Sequence, residues 1–442
     1  MNAEASPARF GRVFRLSLPI ILSNLSVPLM GAVDTAVMGH LPDAAYIGGV
    51  ALGALFFNYV YWGFGFLRMA TTGFVAQAQG AADHQELRHV TLRGMMLALG
   101  LGALIVALQL PLTALALALL EGSARVKDLA RDYVLVRIWG APATLFVYVV
   151  LGWLIGIQRM RTVLVLTVFQ NALNAALALL FVVELGWGIK GVAAATLAAE
   201  YAAAVMGAAA LWRAHRRLAG RWGGAGLFDR AKLLGAFRVN GDIFIRTLCL
   251  VTGFAWFTSQ GAGQSDVALA ANAILITFIA FAAYGLDGFA HAAETLVGGA
   301  VGARDGAGFR AAVRITTLWA ACVALATAVV FAVGGPALID LITGIDAVRA
   351  AARTYLPWAA VYPVVAVWCF QLDGIYIGAT RTAEMRNGMA LSLAGFLALG
   401  YALVPPFGNH GLWAAFTAFA ALRGLVLAYW YPRLLLQFAR PA

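Results

Sequence analysis

Twelve long apolar windows divide this sequence, and they constrain its fold more than any other feature. Hydrophobic residues make up 62% of the 442 residues and charged residues 12%. A soluble protein cannot bury that much apolar surface, so the bilayer must solvate it, and each spanning helix needs about 20 apolar residues. Because strict apolar–polar alternation is absent, the windows predict an all-α polytopic membrane protein with 12 transmembrane helices. They cover residues 14–38, 46–75, 91–120, 130–157, 162–185, 190–212, 236–260, 267–301, 311–343, 351–378, 386–406 and 410–436.

The positive charges are distributed unevenly between the two sets of loops. Most of the 31 Lys and Arg residues lie at the N-terminus, after even-numbered windows and at the C-terminus. The positive-inside rule then places both termini in the cytoplasm. We expect the chain to lie in the cytoplasmic (inner) membrane. The densest basic segment, Arg213 to Lys232, is interpreted as a cytoplasmic linker that contacts lipid headgroups rather than nucleic acid. Three cysteines inside the windows show no disulfide or zinc spacing.

The two halves of the chain resemble one another at an offset of 222 residues. "GFGFLRMATTGFVAQAQGAADHQELR" (63–88) aligns with "GLDGFAHAAETLVGGAVGARDGAGFR" (285–310), and "GWLIGIQR" (152–159) aligns with "GIYIGATR" (374–381). Six helices per half give both halves the same orientation, and such parallel repeats are typical of transporters that alternate access around a site between two lobes. The predicted domains are an N-terminal lobe (1–212), a basic linker (213–235) and a C-terminal lobe (236–442), the lobes being pseudo-symmetric.

Asp34, in "GAVDTAVMGH", is a carboxylate near the end of the first apolar window. Desolvation in a membrane favours its protonated form, so it could load and release a proton. Pro19 and Pro28 precede it and could bend the helix. The alternative is a loop-proximal aspartate with no coupling role, and the residues alone leave both open.

Further polar residues inside the windows are candidates for the lining of a substrate cavity. In the fifth window Asn171 and Asn174 share a helix face with Gln170 nearby, although these amides could simply join helices. These candidates are Asn58, Arg68, Gln170, Asn171, Glu200, Asp287, His291 and Glu294.

The eighth window carries Asp287, His291 and Glu294 on one helical stripe. That spacing could pass protons or hold a metal, but no further ligand is evident, so no metal site is predicted. Arg68, in the matching window of the first half, is a plausible counter-charge.

Three other acidic residues are harder to place from the sequence. The spacing of Asp242 and Arg246 suits a structural ion pair. Glu200 and Asp373 have no obvious neighbour, and Asp373 could simply be solvated near the end of its helix.

No phosphate-binding or nucleophile motif is present, which excludes an ATP-driven pump on this chain alone and leaves an ion gradient as the energy source.

The chain resembles the multidrug and toxic compound extrusion (MATE) transporters, specifically their DNA-damage-inducible protein F (DinF) branch. The matching segments are "LPIILSNL…GAVDTAVMGHL" (18–41), "WGFGFLRMATTGFVAQAQG" (62–80), "NGDIFIRTL" (240–248), "AYGLDGFAHAAETLVGGAVGA" (283–303) and "LDGIYIGATRTAEMRN" (372–387). The resemblance implies two six-helix lobes around a central cavity. It also implies export of cationic, amphipathic small molecules in exchange for H⁺ or Na⁺, by a monomer with no cofactor and no enzymatic activity.

The resemblance also implies roles for individual residues. Asp34 corresponds to the coupling carboxylate, Asn174 to its partner, Asp373 to a second-lobe coupling acid and Pro19 to the bending proline. Many relatives have an aspartate one turn after the asparagine, where this chain has Ala178. Na⁺ prefers several oxygen ligands including carboxylates, whereas a proton needs one carboxyl, so H⁺ is favoured.

Two other functions remain open at this point. A lipid-linked oligosaccharide flippase of a related fold predicts a lipid-accessible basic cavity, whereas the intramembrane candidates are interpreted as mostly acidic. A membrane-embedded enzyme would have to use the stripe of Asp287, His291 and Glu294.

Overall fold

A computed structural model describes residues 10–39, 43, 45–220, 222–224 and 226–438, with the side chains of 27–36 and 39 left out. These residues are almost entirely helical, and no strand occurs among them. The helices are α1 (Phe10–Gly39), α2 (Ala45–Gly63), α3 (Phe66–Gly80), α4 (His84–Ala107), α5 (Gln109–Leu119), α6 (Ala124–Arg137), α7 (Ala141–Gly156), α8 (Met160–Ala178), α9 (Gly188–His215), α10 (Arg230–Ala262), α11 (Asp266–Gly302), α12 (Gly306–Ile342), α13 (Asp346–Gly378) and α14 (Thr382–Leu435). Short 3₁₀ turns cover Ile138–Gly140 and Leu436–Phe438, and a π segment covers Leu179–Glu184.

The helices agree with the predicted spans. Ten stretches of the described chain are long and apolar enough to cross a membrane. The last of them, Thr382–Phe438, is 57 residues long and breaks at Gly408, whose φ of 55° and ψ of −130° are not helical. It therefore provides two crossings, as the windows 386–406 and 410–436 predict. With the 30-residue α1, the described chain supplies the twelve expected spans. The predicted all-α membrane fold is confirmed.

The helices form two compact units. One comprises residues 22–79 and 83–234, and the other comprises residues 1–21, 80–82 and 235–442, as far as these are described. The second unit contains an apolar core built on aromatic side chains of α10, α13 and α14 such as Phe257, Tyr362 and Phe416. The N-terminal part of α1 belongs to the same unit, where Val13 packs near Phe289 of α11.

Backbone geometry repeats at the offset that the sequence predicts. The described backbone has four non-glycine residues with positive φ: Ala82 and Arg304, and Gln158 and Thr380. The members of each pair are 222 residues apart. Each residue ends a helix in the same way, because the next N–H donates to a carbonyl five residues back at 2.8–2.9 Å. This is the Schellman helix end, so equivalent helices of the two halves stop at equivalent residues.

Glycines at the same offset allow equally close helix packing in each half. A Cβ on Gly152 would lie 2.4 Å from the carbonyl oxygen of Arg68, and a Cβ on Gly374 would lie 2.4 Å from that of Ala290. Both the glycines and the carbonyls they face are 222 residues apart. The backbones of α3 and α7, and those of α11 and α13, therefore meet at matching points where no side chain fits.

We expect Gly374→Ala to lower stability, because its methyl group would have to displace backbone of α11. Overpacking of this kind costs about 1–3 kcal/mol. A decrease in apparent Tm of the detergent-purified protein would measure it. Gly334→Ala is the matched control, because a Cβ there meets no described atom within 4 Å. An equal change in both variants would contradict the argument.

Candidate functional site

The amides of α8 contact two neighbouring helices. Asn171 Nδ2 donates to Ser26 Oγ of α1 at 2.7 Å. Asn174 is 6% exposed, and its Oδ1 accepts a hydrogen bond from Thr196 Oγ1 of α9 at 3.5 Å. Two of the predicted polar residues therefore do join helices, and one of them contacts the helix that carries Asp34.

The coupling residues predicted on α1 lie partly outside the described part of the structure. The backbones of Pro28 and Asp34 lie in α1, but their side chains fall outside the described part of the structure. The proposed partnership of Asp34 with Asn174 therefore stays a prediction. Pro19 is buried within α1, and a bend there is likewise a prediction. Of the remaining candidates on this lobe, Gln170 is half-buried and Asn58 is exposed.

Glu200 forms an ion pair that its own neighbourhood in the sequence does not reveal. Its side chain is 2% exposed, and Oε1 lies 3.5 Å from Nη2 of Arg137. Arg137 also donates to the Tyr133 hydroxyl at 3.0 Å, and its guanidinium lies 4.5 Å from the centre of the Phe57 ring. A Cβ at Gly140 would collide with Glu200 Oε2, so the glycine makes room for the carboxylate. This pair neutralises two charges inside the first unit.

On α11 two residues of the predicted stripe are in direct contact. His291 Nδ1 lies 3.0 Å from Glu294 Oε1, and both residues are buried. Asp287 is half-buried one turn earlier. Arg68 is half-buried on α3 in the other unit, and its role as a counter-charge stays a prediction.

A buried charge cluster of the second unit surrounds Asp373. Its Oδ2 accepts hydrogen bonds from Arg246 of α10 and from Nη2 of Arg423 of α14, the latter at 2.9 Å. Asp373 is 7% exposed and both arginines are 6% exposed. Asp373 is therefore buried and ion-paired, and the alternative of a solvated aspartate is wrong.

Asp242 has different partners from the one that its spacing suggests. Its Oδ1 accepts from Arg386 Nη1 at 2.6 Å, and its Oδ2 accepts from Thr382 Oγ1 at 3.0 Å. The expected pair of Asp242 and Arg246 is wrong, because the two side chains bind other helices. Asp242 contacts α14, and Arg246 contacts Asp373 of α13. Three arginines and two aspartates thus tie three helices together and leave one net positive charge.

The MatE family model matches residues 19–180 and 243–405, one match in each half of the chain. The chain belongs to the MatE family.

The relatives of this MatE transporter include proteins matched over nearly their whole length. DNA damage-inducible protein F of Escherichia coli K12 is 43% identical over 420 residues, which is 94% of this chain and 90% of the relative. Protein DETOXIFICATION 44, chloroplastic, of Arabidopsis thaliana is 28% identical and covers 95% and 81%. A solved MATE structure in the straight conformation is similar in fold, with a TM-score of 0.87 at 20% identity over 97% of this chain and 96% of the other.

Family membership settles the broad class of the protein. MatE proteins are multidrug transporters of the membrane and not enzymes, so the hypothesis of a membrane-embedded enzyme is wrong. The predicted resemblance to the DinF branch is confirmed.

Sequence reasoning on this MatE transporter missed two arginines, Arg137 and Arg423. Both lie inside apolar windows, and an intramembrane arginine almost always has a counter-ion. A search for isolated basic residues in the windows, as well as acidic ones, would have found them. It would not have paired them with Glu200 and Asp373, which lie 63 and 50 residues away along the chain.

Proposed function

We propose that this protein is a secondary active exporter of small amphipathic or cationic compounds that exchanges them for H⁺ rather than Na⁺. It works as a monomer by alternating access in the cytoplasmic membrane, with both termini in the cytoplasm. Membership of the multidrug MatE family supports export. The choice of ion rests on α8.

The observation that favours H⁺ is the residue one helical turn after Asn174. Ala178 is fully buried. A methyl group therefore occupies the position where the resemblance to MATE transporters implies a carboxylate in many relatives. Asn171 and Asn174 on this face of α8 are neutral, and so is Thr196 of α9, which contacts Asn174. Na⁺ binds best among several oxygens that include carboxylate charge. A single carboxyl group, at Asp34, is enough to carry a proton.

Asp373 is less suited to carry the coupling proton than Asp34. Protonating Asp373 would leave the guanidiniums of Arg246 and Arg423 buried without their carboxylate. An uncompensated buried charge of this kind costs several kcal/mol. We therefore propose that Asp34 takes up the proton, and that Asp373 contributes to coupling by holding α10, α13 and α14 together.

The proposal is tested in proteoliposomes loaded with a fluorescent cationic dye such as ethidium. A pH gradient and a Na⁺ gradient are imposed separately, with the membrane potential clamped. We expect the pH gradient to drive dye movement and the Na⁺ gradient at equal pH to drive none above the level of protein-free liposomes. Transport driven by Na⁺ alone would overturn the choice of ion. Transport of no tested compound under either gradient would count against export of cationic compounds.

A further inference from the structure

A cavity in the first unit, outside the polar residues discussed so far, lies at the end of α9. Its volume is about 310 Å³, at the lower end of the range for small-molecule sites. The lining residues are Arg88, Trp212, His215, Arg216, Gly220 and Trp222. Two of them are arginines and none is acidic, so the cavity presents positive charge beside two indole rings.

Arg88 is held rigidly on one side of this cavity. It is 5% exposed. Its Nη2 donates to the carbonyl oxygens of His215 and Leu218 at 3.0 and 2.9 Å, and its Nε donates to that of Ala219 at 3.3 Å. These bonds cap the end of α9. Nη1 donates to none of the described residues, so part of the guanidinium keeps its capacity to bind an anion.

Aromatic rings hold His215 in position beside the cavity. The His215 ring is stacked between Trp153 and Trp222, with centroids 4.7 Å away on each side. Both His215 nitrogens are already engaged, by Thr91 Oγ1 at 3.1 Å and the Leu211 carbonyl at 2.8 Å. The charged groups that can meet a ligand are therefore the two guanidiniums.

Arg216 is the more accessible of the two arginines. It is exposed, and its guanidinium lies 5.0 Å from the centre of the Trp212 ring. No hydrogen bond joins it to another described side chain. Trp212 and Trp222 are 58% and 50% exposed. Exposed tryptophans beside arginines at the end of a spanning helix are typical of the headgroup level of a membrane.

We propose that this cavity binds the phosphate headgroup of an anionic phospholipid from the cytoplasmic leaflet. Arg88 Nη1 and Arg216 hold the phosphate, and the two indole rings contact the glycerol and upper acyl region. Anionic lipid is concentrated in that leaflet, and each arginine near its surface contributes about 1 kcal/mol of attraction. Basic pockets between spanning helices are a known means of binding such headgroups.

The test is native mass spectrometry of the full-length protein in detergent, titrated with phosphatidylglycerol, phosphatidylcholine or inorganic phosphate. We expect phosphatidylglycerol to bind more tightly than phosphatidylcholine. Arg216→Gln should weaken its binding about five-fold, which is the loss of one such charge contact. Arg217→Gln is the matched control, because Arg217 is the adjacent exposed arginine and does not line the cavity. It should leave the affinity within two-fold.

Three outcomes would each overturn the proposal. Equal weakening by the two substitutions would show diffuse attraction by the basic segment. Equal binding of phosphatidylcholine would show that the cavity does not select negative charge. Displacement of phosphatidylglycerol by inorganic phosphate at similar concentration would identify a soluble phosphate ligand instead of a lipid.

Discussion

Asp34→Asn is expected to abolish export driven by a pH gradient while the protein remains folded and able to bind dye. A carboxamide has nearly the shape of a carboxyl group but cannot take up the transported proton. If one proton-binding group couples the gradient to the conformational change, its loss removes the differential affinity that drives the cycle. We expect dye efflux in proteoliposomes to fall to the level of protein-free vesicles, together with substrate-evoked proton release.

Asp43→Asn is the matched control for this experiment. Asp43 follows Asp34 in the sequence and lies outside the apolar window. Its substitution by asparagine is chemically the same change. Its Oδ1 accepts from the backbone N–H of Ala45 at 2.8 Å, a bond that asparagine can also accept. Asp43→Asn should therefore transport normally. Normal antiport by Asp34→Asn would refute the assignment of the coupling proton, and equal loss in both variants would show that any change near the end of α1 disrupts the protein.

Asp373→Asn is expected to cause the largest loss of stability among the substitutions considered. It removes the only carboxylate bonded to Arg246 and Arg423 among the described residues, and leaves both guanidiniums buried. Breaking a buried ion pair from one side costs about 3–5 kcal/mol. Thermal unfolding in detergent, followed by loss of the monodisperse peak on size exclusion, should show a large decrease in apparent Tm.

The chain offers an exposed cluster of the same composition as a control. Asp340 of α12 contacts Arg353 Nη2 at 2.6 Å and Arg349 Nε at 3.6 Å, and its side chain is 40% exposed. Exposed pairs contribute about 0–1 kcal/mol, so Asp340→Asn should change the apparent Tm little.

Arg423→Gln provides a second check on the buried cluster. It removes the excess positive charge and leaves Asp373 paired with Arg246, so it should be milder than Asp373→Asn. If Asp340→Asn and Asp373→Asn had the same effect, burial would not govern the energy of these clusters.

The amino-acid sequence was enough to predict the membrane fold, the number of spans and the resemblance between the two halves. Apolar length is a local property, and a repeat keeps its register wherever it lies in space. For this reason Gly152 and Gly374, and the helix ends at Ala82 and Arg304, occupy equivalent places in the structure as the alignment of the two halves predicts. The candidates Asn171, Asn174, Glu200 and Asp373 were also found from the sequence, because polar groups in apolar windows are conspicuous.

Which of these charges form pairs depends on how the helices pack. The spacing of Asp242 and Arg246 predicts a pair, yet Asp242 contacts Arg386 and Arg246 contacts Asp373, with 144 and 127 residues between the partners. An ion pair in a helical membrane protein forms where two helices pack, and helical periodicity specifies a face without specifying the neighbour. In a low-dielectric interior each charge needs a partner, and the packing of α10, α13 and α14 determines which one it finds.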